Sequence, residues 1–79
     1  MFTLGTYAQD NAGIGTTSPH ASAILELDST TQGFLPPRLT TVQRDEIANP
    51  TVGLLIFNKD TDAFNLYSST NSWIVISPL

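Results

Sequence analysis

Residues 53–77 read GLLIFNKDTDAFNLYSSTNSWIVIS, a stretch in which two polar turns separate three short apolar runs. The runs span residues 54–57, 64–67 and 73–76, and this spacing predicts an antiparallel β-meander. The first and last runs are apolar at every position, so both faces of those strands are apolar. A sheet with one face in water alternates apolar and polar residues instead. The pattern therefore predicts that the second face is covered, most simply by another copy of the chain.

The chain is so short that few of its other residues are available to cover the second face. The protein has 79 residues, which make one small domain, and a chain of this size hides only about 60% of its unfolded surface when it folds alone. Small folds are usually reinforced by disulfides, a metal ion or oligomerisation. The sequence contains no cysteine and a single histidine, His20, which excludes a disulfide and a zinc site of Cys and His ligands. Oligomerisation is the reinforcement that we expect.

The charge balance argues against nucleic acid and membranes as partners. The net charge is -4, from three basic and seven acidic residues, whereas nucleic acids and anionic membranes attract clustered Lys and Arg. The sequence has no run of about 18 apolar residues that would form a transmembrane helix. We expect neither nucleic-acid binding nor membrane insertion. Scarce charge with abundant Thr, Ser and Asn favours a β-rich extracellular or virion-type protein.

The first part of the chain is predicted to be extended. Residues 1–17 show no helical period, and we expect an extended arm, or the end of a preceding shaft, before a single small β-rich domain over residues 18–79. Gly13-Ile14-Gly15 is interpreted as glycines at a bend, because a dinucleotide motif needs a third glycine and a following helix. Residues 21–28 alternate like a strand, which predicts that their alanines and leucines face inward.

Residues 41–48 are the one helix candidate. Thr40 and Gln43 have the spacing of a capping box, and Asn49-Pro50 ends the segment. A helix of about two turns must pack against other parts of the chain, for which Val42 and Ile47 are available.

Arg38 follows a proline pair that fixes an extended backbone, and it has apolar neighbours. Arginine is the side chain best suited to a partly buried bidentate pair with a carboxylate. Our hypothesis is that Arg38 bridges to Glu26 or Asp28, within the chain or across a subunit boundary. A solvent-exposed arginine is the alternative.

No motif for catalysis or metal binding emerges from the sequence. Residues 58–62 place oxygen ligands at alternate positions, as a calcium loop does, but Ala63 and Ser69 replace the required glycine and bidentate Glu. An Asx-stabilised turn is the preferred interpretation. No Gly-x-Ser-x-Gly elbow marks a nucleophile, and one small sheet rarely forms a catalytic cleft. We expect no enzyme activity, no catalytic or metal-binding residues and no cofactor.

Several segments together resemble a known family. They are GIGTTSP at 13–19, AILEL at 23–27, GFLPPRLT at 33–40, QRD at 43–45 and GLLIFN at 53–58. With the rest of residues 13–77 they are similar to the C-terminal trimerisation or knob module of viral fibre proteins. That module occurs in phage tail fibres, in virus collagen-like fibres and in Bacteroidetes surface proteins. The WIVIS ending at 73–77 resembles the fibritin foldon more loosely. The resemblance implies a threefold-symmetric knob that sets the register of three fibre chains.

The preferred interpretation is a mostly β homotrimer. We expect a small antiparallel β-meander with an extended N-terminal arm and one short helix over about residues 41–48, intertwined or packed as a trimeric head. The resemblance implies a non-enzymatic module at the C-terminal tip of a viral fibre, on the virion surface, which drives trimerisation and chain registration. The residues predicted at the trimer interface are Leu35, Pro36, Arg38, Leu55, Phe57, Trp73, Val75 and Ile76.

Two alternatives remain open. A receptor-binding head of a viral fibre would contact a host-surface glycan or protein, and the residues predicted for this contact are Tyr67, Ser69 and Asn71. A monomeric β module of a repeat protein at the bacterial cell surface is the other alternative. The oligomeric mass separates the trimer from the monomer.

Overall fold

The computed structural model describes the backbone of residues 3–4 and the whole of residues 10–76. Within these residues two β-sheets and one short helix account for the regular structure, which confirms the predicted mostly β fold class. The sheets belong to two units, Met1–Phe34 and Leu35–Leu79, each with its own set of internal contacts. Packing into a trimer concerns further copies of the chain and stays a prediction.

The first unit carries a three-stranded sheet in the order β1-β2-β3. Its strands are β1 (Thr3–Leu4), β2 (Ala12–Ile14) and β3 (Leu25–Leu27). β1 runs antiparallel to β2, whereas β2 and β3 are parallel. The arm predicted over residues 1–17 thus contributes β1 and β2, although part of it lies outside the described residues. Its boundary at residue 17 stays a prediction.

The strand predicted over residues 21–28 is wrong in its first half. Residues 21–22 form a turn, closed by a 3.0 Å hydrogen bond from the Ala23 amide to the His20 carbonyl, and only Leu25–Leu27 is a strand. The expected inward face is also wrong, because Leu25 and Leu27 are exposed whereas Glu26 between them is half-buried. The Glu26 carboxylate accepts a 2.6 Å hydrogen bond from the His20 amide, which holds the preceding loop on the Glu26 side.

The glycines of the Gly13-Ile14-Gly15 segment permit two close backbone approaches. Gly15 has a φ of +87°, and a Cβ there would overlap the carbonyl oxygen of Asp28. A Cβ on Gly13 would stand 2.8 Å from the carbonyl oxygen of Thr16. Both positions therefore favour glycine for structural reasons. The interpretation as glycines at a bend is confirmed for Gly15 and is wrong for Gly13, which lies within β2.

The second unit carries a four-stranded sheet in the order β4-β5-β6-β7. Its strands are β4 (Arg38–Leu39), β5 (Leu55–Asn58), β6 (Ala63–Tyr67) and β7 (Trp73–Val75). The pairs β5–β6 and β6–β7 are antiparallel and form the predicted meander, with bounds that shift by one residue. β4 adds to the edge of the meander, parallel to β5.

The turn between β5 and β6 is the predicted Asx turn. The side-chain oxygen of Asn58 accepts hydrogen bonds from the amides of Asp60 at 2.9 Å and Thr61 at 3.3 Å. Asp62 then adopts a φ of 56°, a left-handed conformation that Asp tolerates better than most residues. These contacts confirm the turn interpretation.

Helix α1 (Thr41–Asp45) lies between β4 and β5 and begins with the predicted capping box. It is shorter than the predicted 41–48, since Glu46 already caps its C-terminus. Val42 is 68% exposed, so the prediction that it packs inward is wrong. The helix instead approaches the sheet through the polar residues Thr41 and Arg44, three positions apart on one side. Within residues 10–76, no helix has the length and apolarity that a membrane crossing requires.

We predict that Gly15→Ala destabilises the first unit by at least about 1–2 kcal/mol, because an L-residue disfavours positive φ and the new methyl meets Asp28. Hydrogen exchange at the Asp28 amide, which donates to the Ile14 carbonyl at 2.9 Å, reports this loss. Gly33→Ala is the matched control, because a Cβ there has no neighbour within 4 Å. Equal exchange rates in the two variants would contradict the expectation.

Candidate functional site

Strand register determines which side chains of the four-stranded sheet share a face. Leu55 pairs with Leu66, which pairs with Ile74. Phe57 pairs with Phe64 on one side and with Arg38 on the other. Directly paired residues point to the same side of a sheet, and Ile76 follows Ile74 by two positions. We call this side the open face, and its members are Arg38, Leu55, Phe57, Phe64, Leu66, Ile74 and Ile76.

Helix α1 lies over part of the opposite side of the sheet, which we call the helix face. Its members follow from the same register: Leu39, Ile56, Asn58, Ala63, Asn65, Tyr67, Trp73 and Val75. Among the described residues, Ile56 is the only large apolar side chain that is buried, at 2% exposure. The two other buried residues of this face are Asn58 and Asn65, and the aromatic residues Tyr67 and Trp73 are half-buried.

A buried polar network lies at the centre of the helix face. Asn58 and Asn65 are each 1% exposed. The Asn65 side-chain oxygen accepts hydrogen bonds of 3.0 Å from Arg44 Nη1 and from Asn58 Nδ2, and Asn58 Nδ2 also donates to Thr41 Oγ1 at 3.0 Å. Every buried side-chain nitrogen and oxygen of the described residues has a partner. The network is therefore fully satisfied, which avoids the penalty for burying polar groups.

Arg44 joins this network to the helix and to an aromatic pair. Its guanidinium forms an ion pair with Asp45 at 2.8 Å and lies 5.5 Å from the centroid of the Trp73 ring. The Trp73 ring in turn packs edge-on against Tyr67, with centroids 5.2 Å apart. The Arg44 side chain is only 18% exposed. Charge-assisted hydrogen bonds and the cation–π contact together hold α1 on the sheet.

Arg44 is the functional residue that the sequence interpretation missed in favour of Arg38. Arg38 is exposed at the sheet edge, and its predicted bridge to Glu26 or Asp28 stays a prediction. A signal for Arg44 was present in the sequence: Asn58 and Asn65 interrupt otherwise apolar strands, and buried amides need partners. Thr41 and Arg44, on one side of a capped helix, are such partners.

Apart from Arg38 at its edge, the open face is apolar, and it is incompletely buried. Phe64, Ile74 and Ile76 retain 40%, 43% and 48% of their exposure. Leu55, Phe57 and Leu66 are half-buried, and the Phe57 and Phe64 rings pack edge-on at 5.3 Å. A contiguous exposed apolar surface of this kind marks an interaction site.

The predicted interface residues do not all lie on this face. Leu55, Phe57 and Ile76 do, with Arg38 at the edge, whereas Trp73 and Val75 point to the helix face. Leu35 is exposed and Pro36 is buried, in the segment before β4. The sequence interpretation did not select Phe64, Leu66 and Ile74, because only the hairpin register shows that they join Leu55 and Phe57.

The predicted receptor-contact residues lie at the turn between β6 and β7. Hydroxyl groups within this turn bond one another, with distances of 2.7 Å from Ser68 to Thr70 and 2.9 Å from Thr70 to Ser72. Tyr67 packs on Trp73, whereas Ser69 and Asn71 are exposed. The hydroxyls of Ser68, Thr70 and Ser72 thus bond within the turn, and the side chains of Ser69 and Asn71 are exposed beside them.

A family model matches the chain over residues 13–78, and its description is phage tail like trimerisation region. The match begins in β2 and extends past β7, so it includes strands of both sheets. It confirms the resemblance to a trimerisation module of phage tail fibre type, and it supports self-association and a virion-associated fibre. Comparisons with curated proteins and with solved structures found no significant match. The looser resemblance to the fibritin foldon stays a prediction.

We predict that Arg44→Met lowers the free energy of unfolding by about 2 kcal/mol, because Asn65 loses a charged donor and Trp73 loses its cation. Urea unfolding at equal chain concentrations, followed by the fluorescence of the single tryptophan, measures this change. Lys59→Met is the control, because Lys59 is an exposed cation in the β5–β6 turn and its loss should change stability by about 0.5 kcal/mol at most. Equal losses in both variants would contradict the assigned role of Arg44.

Proposed function

The chain belongs to the phage tail like trimerisation region family, and we propose that it forms a homotrimer through its open face. In this trimer the open face of each chain packs against the open faces of two other copies. One observation carries the proposal: the helix face carries α1 and the buried side chains of Ile56, Asn58 and Asn65, whereas no side chain of the open face is buried. A trimer covers that side without any further chain segment.

Apolar burial is the driving force that we assign to assembly. Full burial of a side chain such as Phe or Ile contributes about 1.5–3 kcal/mol relative to full exposure. Phe64, Ile74 and Ile76 retain close to half of their exposure, so each gains on the order of 1 kcal/mol per chain when it is covered. Small obligate oligomers often have no stable folded monomer, because such contacts form only in the assembly.

The proposed biological role is to set the register of three fibre chains. Contact through the same face of each copy brings equivalent residues together around one axis, which aligns the three chains at this point. We propose that the module does this at the C-terminal tip of a viral fibre on the virion surface, without enzymatic activity. The family match supports a role in trimerisation and an association with a virion fibre, and the resemblance of the sequence motifs supports the position at the tip.

Arg38 has a proposed role at the edge of the open face. It pairs with Phe57 across β4 and β5 and is exposed in the single chain. In the proposed trimer we assign to Arg38 a bidentate pair with Glu26 or Asp28 of a neighbouring copy. The proposal replaces Trp73 and Val75 in the predicted interface by open-face residues, because Trp73 already packs on Arg44 and Tyr67 within the chain.

Host contact is a second proposed function, and it concerns Ser69 and Asn71. Both side chains are exposed on the turn between β6 and β7, where they could hydrogen-bond to a glycan or a protein. Tyr67 contributes less in this proposal, because its ring packs on Trp73.

We predict that Ser69→Ala combined with Asn71→Gly abolishes glycan binding on an array and leaves the trimer intact. Glycine retains the backbone at residue 71, where φ is 60°, so the turn itself should persist. Thr30→Ala, an exposed change in the first unit, is the control. Absence of glycan binding by the unaltered protein, or its persistence in the double variant, would exclude these two residues as a glycan site.

Ile74→Asp and Val75→Asp are the variants that test the open face most sharply. The two residues are neighbours in β7 and are similarly exposed, at 43% and 57%, but they point to opposite faces. We predict that Ile74→Asp dissociates the trimer, because it places three carboxylates in an apolar interface. Val75→Asp should leave the trimer unchanged.

Light scattering after size exclusion gives the mass of each variant, and circular dichroism reports whether each one is folded. Dissociation by Val75→Asp with retention of the trimer in Ile74→Asp would assign the interface to the other face and contradict the proposal. A folded monomer for the unaltered chain would favour the bacterial surface module instead.

A further inference from the structure

The three-stranded sheet of the first unit has one face that its own loop covers. Gly13 and Glu26 pair in the parallel register of β2 and β3 and point to this side. A Cβ on Gly13 would stand 2.8 Å from the Thr16 carbonyl oxygen and 3.3 Å from the Pro19 ring. Glu26 accepts its hydrogen bond from the His20 amide on the same side. The loop over residues 15–24 therefore lies against this face.

The other side of that sheet is uncharged, apolar and exposed. Ala12 pairs with Leu25 and Ile14 pairs with Leu27, so all four point to this side, which we call the first-unit face. Ile14, Leu25 and Leu27 are 42%, 52% and 43% exposed. Among the described residues of this unit no large apolar side chain is buried. The described part of the unit therefore has no hydrophobic core of its own in the single chain.

With this face uncovered, the first unit lacks the apolar burial that normally stabilises a folded backbone. Fixing the backbone of one residue costs about 1–2 kcal/mol of conformational entropy, which apolar burial normally offsets. The backbone hydrogen bonds from Ala12 to Ile24 and from Asp28 to Ile14, at 2.8 and 2.9 Å, contribute only modestly to net stability. Additional apolar burial on the first-unit face would supply the missing stabilisation.

We propose that the first-unit face is a second interchain contact, occupied by the same face of other copies of this chain. The proposal rests on the trimer proposed above. The trimerisation family matches from residue 13 onward, so nearly all of this face lies within the region that defines the family. A face without charge is also suited to meet itself, because equivalent residues come together around a threefold axis without repulsion.

Two contacts per chain have a consequence for chain registration. The open face lies in the second unit and the first-unit face in the first, so three chains are aligned at two places along their sequence. The two contacts are linked by a covalent chain, which raises the effective concentration of one when the other has formed. Trimers with both contacts therefore dissociate at lower concentrations than trimers with one.

Cross-linking of Leu27→Cys tests this inference directly. The chain has no cysteine, so the new thiol is unique, and the change retains a small apolar side chain on the first-unit face. We predict that a short bismaleimide linker joins two chains of the assembled protein in high yield. Thr17→Cys, in the loop on the covered side, should give little cross-linking at the same concentration.

The outcomes separate this inference from the proposed function. A trimeric mass with efficient Leu27→Cys cross-linking supports both. A trimeric mass in which Leu27→Cys links no better than Thr17→Cys overturns the second contact and leaves the open-face trimer in place. A monomeric mass overturns both.

Serine substitutions give an independent measurement. The double change Leu25→Ser and Leu27→Ser should raise the concentration at which half of the trimer dissociates by roughly tenfold or more, because the contact loses the burial of two leucine side chains per chain. Ile24→Ser is the matched control, because Ile24 is 76% exposed and lies just outside the paired strand residues, and it should leave dissociation unchanged. Equal dissociation of the double variant and the unaltered chain would contradict the proposal.

Discussion

The side-chain oxygen of Asn65 accepts hydrogen bonds from Arg44 and from Asn58, and the packing of the helix on the sheet within the second unit depends on these two bonds. It fixes α1 over one side of the four-stranded sheet, where Trp73 stacks on the same guanidinium. Strand residues alternate between faces, so the choice of a side for the helix also determines the side that stays uncovered. A fully satisfied buried network favours one arrangement over others, because any displacement of the helix would leave buried amides without partners.

In the single chain the second unit buries two amides beside Ile56 and leaves several large apolar side chains exposed, unlike most small domains. Amides and a guanidinium occupy the enclosed side of the second sheet, while phenylalanine and isoleucine side chains face outward on the open face. The first unit repeats the arrangement, since its loop covers the side of Gly13 and Glu26 and leaves leucines exposed. Each sheet thus has one side that contacts other segments of the same chain and one side that is suited to contact other copies. This arrangement accords with membership of a trimerisation family.

Local sequence signals predicted the elements of this fold, but not the way in which the faces are used. The meander followed from apolar runs between turn residues, the helix start from Thr40 and Gln43, and the Asx turn from Asn58. Residues 73–76 are apolar at every position, so their periodicity could not indicate that Ile74 rather than Val75 lies beside Leu66. The Arg44–Asn65 contact joins residues 21 positions apart, beyond any local pattern. The strand predicted from residue 21 failed because Ala and Ser alternation carries little hydrophobic signal, whereas the Glu26–His20 contact favours a turn.

The mass of the unaltered chain in solution tests most directly whether the open face is completed by other copies. Sedimentation equilibrium over a wide concentration range measures this mass without assumptions about shape. We predict a species of about three times the 8.5 kDa chain mass, whose dissociation at low concentration coincides with loss of β structure by circular dichroism. A stable, folded 8.5 kDa monomer at all concentrations would contradict the central claim.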